Sequence, residues 1–155
     1  LRPNQILAVS LPHCMLDPTK EKSIVRKVQQ HLLTSRGLRT LAPYEAAYIG
    51  KYEGDHLQRD MAYHNGTVWP WLMGPFVSAY CRTKGHSLRS RMYAKELLDG
   101  FIPHMAEAGI GTISEIFDGN EPHLARGCVA QAWSVAEILR AYSEDVLLRK
   151  INKWS

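Results

Sequence analysis

The sequence alternates between stretches whose apolar residues recur at helical spacing and long connecting segments rich in glycine, proline and aromatic residues. Such spacing predicts helices, and connections of this length are uncommon in a compact domain unless they carry function. The predicted helices span residues 1–11, 18–37, 68–81, 87–106, 128–142 and 143–152. We therefore expect an all-α fold, in which the loops between helices meet at a common site.

Local signals set the ends of these helices. Asp17 followed by Pro18 is typical of an N-cap and a first helical position, and Gly37 is a typical stop. Pro75 lies inside the predicted helix 68–81 and should kink it or delay its start. The residues expected to face the core are Ile24, Val25, Val28, Leu32 and Leu33; then Leu72, Phe76, Val77 and Tyr80; then Leu88, Met92, Leu97 and Ile102; and finally Val129, Ala132, Trp133, Ala136 and Leu139.

Composition excludes several classes of protein. The 155 residues fit one domain, and 19 Lys and Arg against 15 Asp and Glu give a net charge of +4 that is scattered along the chain. Scattered charge does not indicate nucleic-acid binding, and no apolar run approaches the roughly 18 residues of a membrane-spanning helix. The three cysteines and seven histidines lack the spacings of disulfide frameworks or metal sites. We expect a cytoplasmic protein without metal or cofactor.

Residues 111–119, with the sequence GTISEIFDG, contain the strongest candidate for acid–base chemistry. Glu115 and Asp118 are interleaved with apolar residues that should anchor the segment in the core. An anchored carboxylate can be held within hydrogen-bond reach of a water molecule, as a general base must be. The alternative is a surface glutamate beside an Asx-type turn at Asp118 and Gly119.

Residues 63–71, with the sequence YHNGTVWPW, bring three aromatic side chains and a histidine into nine positions. Carbohydrate sites place aromatic faces against the apolar patches of sugar rings, within mostly apolar clefts that hold a few polar groups. The alternative is that Trp69 and Trp71 are core residues whose indole N–H groups find backbone partners, which we expect for one of them. His64 has the corresponding alternative of a purely structural histidine.

Two further polar groups are suited to hydroxyl recognition. Gln131 and Trp133 open a predicted helix, and Arg2, Asn4 and Gln5 lie near the beginning of the sequence. Amide side chains both donate and accept hydrogen bonds, as sugar hydroxyls require, although each of these residues could equally be an ordinary surface residue.

Four segments together resemble a known family: RPNQILAVSLP (2–12), YHNGTVWPWLMGPF (63–76), GTISEIFDG (111–119) and RGCVAQAWSVAEILR (126–140). They are similar to the C-terminal part of prokaryotic-type glycogen debranching enzymes, the amylo-α-1,6-glucosidases, and occur in that family's order. The resemblance covers almost all of residues 1–155. It implies an (α/α)6 toroid of the glucoamylase-like kind and hydrolysis of the α-1,6-linked branch glucose of limit dextrin by inversion.

The resemblance also implies roles for individual residues. Glu115 matches the general base of the family, while the motifs that hold His64, Trp69, Gln131 and Trp133 contribute to its sugar-binding wall. Further substrate-binding candidates in these motifs are Arg2, Asn4, Gln5, Tyr63 and Asp118. The implied ligand is an oligosaccharide derived from glycogen or another α-glucan.

The sequence departs from the family pattern in one respect. The family's general acid is an aspartate in a tryptophan-rich segment upstream of the part resembled here, and no segment of this sequence matches it. Asp118 and Asp60 are the nearest substitutes. We therefore expect residues 1–155 alone to be inactive, and a non-catalytic carbohydrate-binding or scaffold protein is the alternative. A third hypothesis is an inverting toroid glycosidase with another substrate.

The length also limits the toroid. A ring of twelve helices needs more than twice this length at ordinary helix and loop lengths, so residues 1–155 should form half a ring, with about five or six helices. Half a ring leaves apolar surface at its open edge. We therefore expect the chain to dimerise, to pair with another chain, or to repack this edge.

Overall fold

The computed structural model describes residues 1–13 and 15–149. In these residues the fold is mostly helical, with six α-helices and a five-stranded antiparallel sheet of very short strands. The α-helices are α1 (Leu7–Ser10), α2 (Pro18–His31), α3 (His56–Tyr63), α4 (Met73–Thr83), α5 (Leu88–Asp99) and α6 (Ala132–Ala141). Short 3₁₀ turns precede α1 and α4 and follow α5, and a π-helical turn, Tyr142–Val146, follows α6.

The sheet was not expected from the sequence. Its strands are β1 (Leu33–Thr34), β2 (Gly37–Arg39), β3 (Val68–Trp69), β4 (Ile116–Phe117) and β5 (Ala125–Arg126), paired in that order. Strands of two or three residues are too short to show the alternating pattern by which strands are recognised. The sheet joins the three longest connecting segments. The predicted helical architecture is confirmed, and six helices are compatible with a partial helical toroid.

Helix α4 is the centre of the core and contacts α1, α2, α5 and α6. Seven of its eleven residues are buried, including Phe76 and Val77, as a helix surrounded by other helices requires. Pro75 delays the helix rather than kinking it, because it lies in the first turn, where no intrahelical hydrogen bond needs its missing N–H. Residues 68–69, predicted to be helical, form β3 instead.

The helix boundaries follow the sequence signals only in part. Asp17 caps α2 by accepting hydrogen bonds from the backbone N–H groups of Thr19 and Lys20, as predicted. However, α2 ends at His31 rather than near Gly37, because the chain turns there into the β1–β2 hairpin. Helix α6 begins at Ala132, not at residue 128. In place of the predicted tail helix, the chain forms a π-helical turn, Tyr142–Val146, followed by non-helical residues 147–149. The last positions of the predicted tail helix, 150–152, lie outside the described residues.

The predicted core face of α6 was wrong, and that of α5 was right only at Leu97, which is partly buried and packs against the core. The buried residues of α5 are Ser90, Ala94 and Leu98, whereas Leu88 and Met92 are exposed. On α6 the predicted apolar stripe faces outward, with Leu139 64% exposed and Trp133 48% exposed. The helical period was right, but one helix alone does not indicate which of two apolar faces meets its neighbours. Beside α6 lies an apolar groove of about 340 Å³, lined by Ile102, Met105, Ile113, Val135, Ile138 and Leu139 among others.

The helices are short compared with the thickness of a bilayer. Helix α2, the longest in the described part of the chain, has 14 residues. No helix in residues 1–13 and 15–149 is both long and apolar enough to cross a membrane.

Candidate active site

A cavity of about 320 Å³ opens between the N-terminal segment, the β3 region and the start of α6. This volume is at the lower end of the range for small-molecule sites. Its polar lining residues include Arg2, Asn4 and Thr40, and its aromatic lining consists of His64, Trp69, Trp71 and Trp133. The structure thus brings together five of the predicted site residues, which come from three separate parts of the sequence.

The aromatic wall is a set of packed rings. The His64 and Trp69 rings are stacked, with centroids 5.4 Å apart and planes inclined by 10°. Trp133 approaches Trp69 edge-on at 5.9 Å and lies tilted against Trp71 at 6.2 Å. The half-exposed Trp133 leaves much of its indole accessible.

Trp69 is both a buried core residue and a lining residue of the cavity, the two interpretations that the sequence left open. It is only 5% exposed, and its indole Nε1–H donates to the Tyr63 carbonyl and the Thr67 hydroxyl, each at 3.2 Å. Its polar group is therefore satisfied within the protein, as in a core tryptophan. The part of Trp69 that lines the cavity can offer only ring carbon surface to a ligand.

Arg2 ties the N-terminal segment to the aromatic wall. One Nη1–H donates to the His64 carbonyl at 2.6 Å, and Nη2 donates to the Asn65 side-chain oxygen at 2.9 Å. These bonds fix the backbone beside the His64 ring. Asn4 lines the cavity and is exposed, whereas Gln5 does not line it and donates to the Arg2 carbonyl at 2.8 Å.

Glu115 is half-buried and is held from two sides. The Tyr63 hydroxyl donates to Oε1, and the backbone N–H of Cys128 donates to Oε2 at 2.9 Å. The backbone N–H of Glu115 in turn donates to the Cys128 carbonyl at 2.9 Å, just beyond the β4–β5 pairing, which ends at Ile116 and Arg126. Glu115 does not itself line the cavity. The Tyr63 ring connects the two, since its centroid lies 4.8 Å from that of His64 and 4.9 Å from that of Trp69.

A glycine, Gly127, lies beside the Glu115 carboxylate. Gly127 follows Arg126, the partner of Ile116, and a Cβ built on Gly127 would collide with Oε2 of the Glu115 carboxylate. Gly127 also has φ of +66°, which side-chain-bearing residues rarely adopt. Sequence reasoning missed Gly127 and Cys128 as parts of the site, although the Arg-Gly-Cys triplet was a signal for a turn near the base.

The electrostatics of the cluster keep Glu115 ionised. Burial by itself raises the pKa of Glu115, but the hydrogen bonds from Tyr63 and from Cys128 outweigh it, so the pKa lies below the ordinary glutamate value. Burial, together with the bond to the Glu115 carboxylate, raises the pKa of Tyr63. Tyr63 therefore remains a neutral donor at physiological pH.

Asp118 lies elsewhere. Its side chain is buried, forms a two-point ion pair with Arg126 through contacts of 2.9–3.2 Å, and accepts from the backbone N–H of Tyr52 at 2.8 Å. It does not line the cavity. The ion pair lies within the β4–β5 hairpin, and the hydrogen bond from Tyr52 fastens this hairpin to the segment around Tyr52. Asp60 is exposed on α3 and does not line the cavity either.

Gln131 does not line the cavity but positions a residue that does. It is the N-cap of α6, and its backbone N–H donates to the Ile113 carbonyl at 2.9 Å. This bond fixes the start of α6 relative to the segment that carries Glu115. The helix therefore opens beside Gln131 and Trp133, after its predicted start at residue 128.

A sequence model of one family, amylo-alpha-1,6-glucosidase, matches residues 1–140. The chain belongs to the amylo-alpha-1,6-glucosidase family. The resemblance drawn from four short motifs is thereby confirmed, and the glycosidase-related character of the chain with it. All residues of the aromatic cavity and the Glu115 cluster lie within the matched range.

In this amylo-alpha-1,6-glucosidase domain, one carboxylate held by neutral donors lies beside a wall of aromatic rings. A carboxylate in a fixed position can exchange a proton with a bound water molecule, so the arrangement is suited to acid–base chemistry. Among residues 1–13 and 15–149, no group of three or more His, Cys, Asp or Glu side chains is arranged to hold a metal ion.

Proposed function

We propose that this chain supplies the general base, Glu115, and part of the sugar-binding wall of an inverting α-1,6-glucosidase that removes branch-point glucose from glycogen-derived limit dextrin. The observation that carries the proposal is the position of Glu115, held by two neutral donors one ring away from an aromatic cavity. Family membership supports the activity class.

The ionisation of Glu115 favours a base over an acid. A general base must be deprotonated before it can accept a proton from water, whereas a general acid needs a raised pKa. The hydrogen bonds from Tyr63 and Cys128 lower the pKa of Glu115. In the proposed reaction, Glu115 takes a proton from a water molecule that attacks the anomeric carbon, and the glycosidic oxygen leaves after protonation by a second carboxyl group. Inversion places the two groups roughly 6.5–9.5 Å apart.

The wall residues suit a glucose unit. The exposed part of Trp133 and the His64 and Trp69 rings offer carbon surface to the C–H faces of a sugar, while Arg2 and Asn4 are placed for its hydroxyls. We propose that the acid comes from a segment outside residues 1–155, following the family resemblance. We also propose cytoplasmic action, where glycogen-derived oligosaccharides occur.

One observation favours the alternative of a non-catalytic carbohydrate-binding protein. Among the described residues, the cavity lining contains no carboxylate. A protein of this kind would bind oligosaccharide through the aromatic wall and release no glucose.

The test compares Glu115→Gln with the wild type in the enzyme that contains this chain. We expect turnover of limit dextrin, assayed as free glucose, to fall roughly 10²- to 10⁴-fold, the range for loss of a general base. Oligosaccharide binding measured by calorimetry should change little, because glutamine keeps the size of the side chain. Proton NMR of the first product should show β-glucose. Retained turnover in Glu115→Gln would remove this residue from the mechanism, and binding without turnover in the wild type would favour the alternative.

We further propose that another protein surface, most simply a second copy of the chain, covers the apolar groove beside α6 at Leu139 and Ile102. The outward stripe with Val129 and Leu139, the exposed Ile102 and the groove between them support the expected open edge. Sedimentation velocity should detect self-association of residues 1–155 that Leu139→Lys weakens. A monomer at every concentration would contradict pairing between copies.

A further inference from the structure

We propose that Tyr63 is a positioning residue for Glu115, acting through its hydroxyl group, and not a sugar-binding residue. The inference rests on the proposed function of Glu115 as the base. It changes the role expected from the sequence, in which Tyr63 was a candidate for substrate binding.

The Tyr63 ring has little freedom to move. Tyr63 is the last residue of α3, whose N-terminus is fixed by a capping box between Asp55 and Gln58. Its carbonyl accepts hydrogen bonds from the Thr67 hydroxyl at 2.6 Å and from the Trp69 indole at 3.2 Å. Backbone on both sides of the side chain is therefore anchored, which fixes the direction in which the ring leaves the chain.

Neighbouring rings hold the side chain itself. The Tyr63 ring packs edge-on against His64 and Trp69 and is tilted against Tyr52 at 5.9 Å. Such packing leaves the hydroxyl one position to occupy, and there it donates to Oε1 of Glu115. A donor that is fixed independently of its acceptor can impose an orientation on the more flexible glutamate side chain.

Tyr63 and Cys128 divide the task of holding Glu115. The backbone N–H of Cys128, two residues after β5, donates to Oε2 of Glu115. The hydroxyl of Tyr63, at the end of α3, donates to Oε1. The titratable groups that act on the pKa of Glu115 are these two residues, and neither is cationic. The carboxylate is thus oriented without being neutralised by an ion pair. Since Tyr63 is absent from the cavity lining, its effect on the reaction has to pass through Glu115.

The test uses Tyr63→Phe, which keeps the ring and removes only the hydroxyl. The first readout is the titration of the Glu115 carboxyl carbon by NMR in residues 1–155, with the resonance assigned by its loss in Glu115→Gln. A hydroxyl that donates to the ionised carboxylate lowers the pKa, so its removal should move the Glu115 midpoint to higher pH. The matched control is Tyr48→Phe, which removes a hydroxyl that donates to the Asn120 side chain at 3.0 Å and should leave the midpoint unchanged.

The second readout is kinetic, in the enzyme that contains the chain. Tyr63→Phe should lower kcat roughly 10-fold to 10²-fold, with KM for the oligosaccharide unchanged and the acid limb of the pH profile moved upward in parallel with the NMR midpoint. A raised KM with unchanged kcat would overturn the inference and return Tyr63 to substrate binding. An unchanged NMR midpoint would overturn it as well. Turnover retained in Glu115→Gln would instead refute the proposed base, so the two failures are distinguishable.

Discussion

Glu115 and Asp118 lie three positions apart in one short segment, yet their environments differ in almost every respect. Glu115 is half-buried and is bonded to a tyrosine hydroxyl and a backbone N–H. Asp118 is buried and is bonded to the guanidinium of Arg126. A carboxylate held by neutral donors keeps its negative charge available for a proton, whereas one paired with arginine is already neutralised. The two side chains have the same acidic group, so the difference between a candidate base and a member of a structural ion pair lies in the group that each carboxylate binds.

The geometry of β4 explains why such close neighbours diverge. Glu115 precedes the two-residue strand and Asp118 follows it, so an odd number of steps separates them. Successive side chains of a strand point to opposite faces, and these two carboxylates therefore leave the sheet in opposite directions. One is directed toward the end of α3, and the other toward the segment around Tyr52.

The largest expected effect in this comparison is the loss of stability in Asp118→Ala. The change leaves Arg126 and the backbone N–H of Tyr52 without their partner, and breaking a buried ion pair costs about 3–5 kcal/mol. The Arg126 side chain is 31% exposed and can regain water, so we expect about 3 kcal/mol, measured by urea unfolding. Glu115→Gln should lower the free energy of unfolding much less.

The control for this prediction is the double variant Asp118→Ala with Arg126→Ala. If the ion pair is the cause, the double variant should lose less stability than the sum of the two single variants. A rise in KM for the oligosaccharide with unchanged stability in Asp118→Ala would contradict the structural role. It would support the substrate-binding role expected from the sequence.

Local patterns in the sequence predicted the helical architecture and the aromatic side chains of residues 63–71 that line one side of the cavity. Helices α2 and α4 follow the spacing of residues such as Val28 and Phe76, which are completely buried. The aromatic wall follows from a segment too rich in rings for a plain amphipathic helix. Motif resemblance then connected Glu115 with these rings across some fifty positions.

What could not be predicted depends on contacts between distant segments. The strands are too short to have a pattern, and the closeness of Gly127 to Glu115 arises only when β5 lies beside β4. The outward stripe on α6 was assigned to the core because apolar spacing does not reveal which surface has a partner within residues 1–155. Similarly, nothing in the spacing of Glu115 and Asp118 showed which of them would meet an arginine.

A smaller effect is expected from Gly127→Ala, which tests whether the position of the Glu115 carboxylate matters for turnover. The added Cβ meets Oε2 of Glu115, a flexible side-chain end that can move away. We expect a stability loss of about 1–2 kcal/mol from the left-handed backbone. Displacement of the base should lower turnover roughly 10-fold to 10²-fold.

Gly111→Ala is the matched control for this change. Gly111 has φ of +74°, close to that of Gly127, but no atom lies within 4 Å of the position that an added Cβ would take. The backbone cost should therefore be similar, while turnover stays near the wild-type value. Equal losses of turnover in the two alanine variants would show that backbone strain, and not displacement of Glu115, is responsible.

The smallest expected effect is a change in the reactivity of Cys128 and reports directly on the charge of Glu115. The nearby carboxylate raises the pKa of the exposed Cys128 thiol, and only the thiolate reacts with alkylating agents. Glu115→Gln removes that charge, so the thiol pKa should fall and alkylation by iodoacetamide near pH 8 should become a few-fold faster. Both proteins carry Cys14→Ser, so that Cys128 is the thiol that reacts. Cys81 does not interfere, because it is buried and its pKa is raised to about 11. Asp118→Asn should leave the rate unchanged, because that carboxylate is paired with Arg126 on the other face of the strand. An unchanged rate in Glu115→Gln would mean that the carboxylate does not lie beside Cys128 in solution, and the contrast between the two acidic residues would then lose its basis.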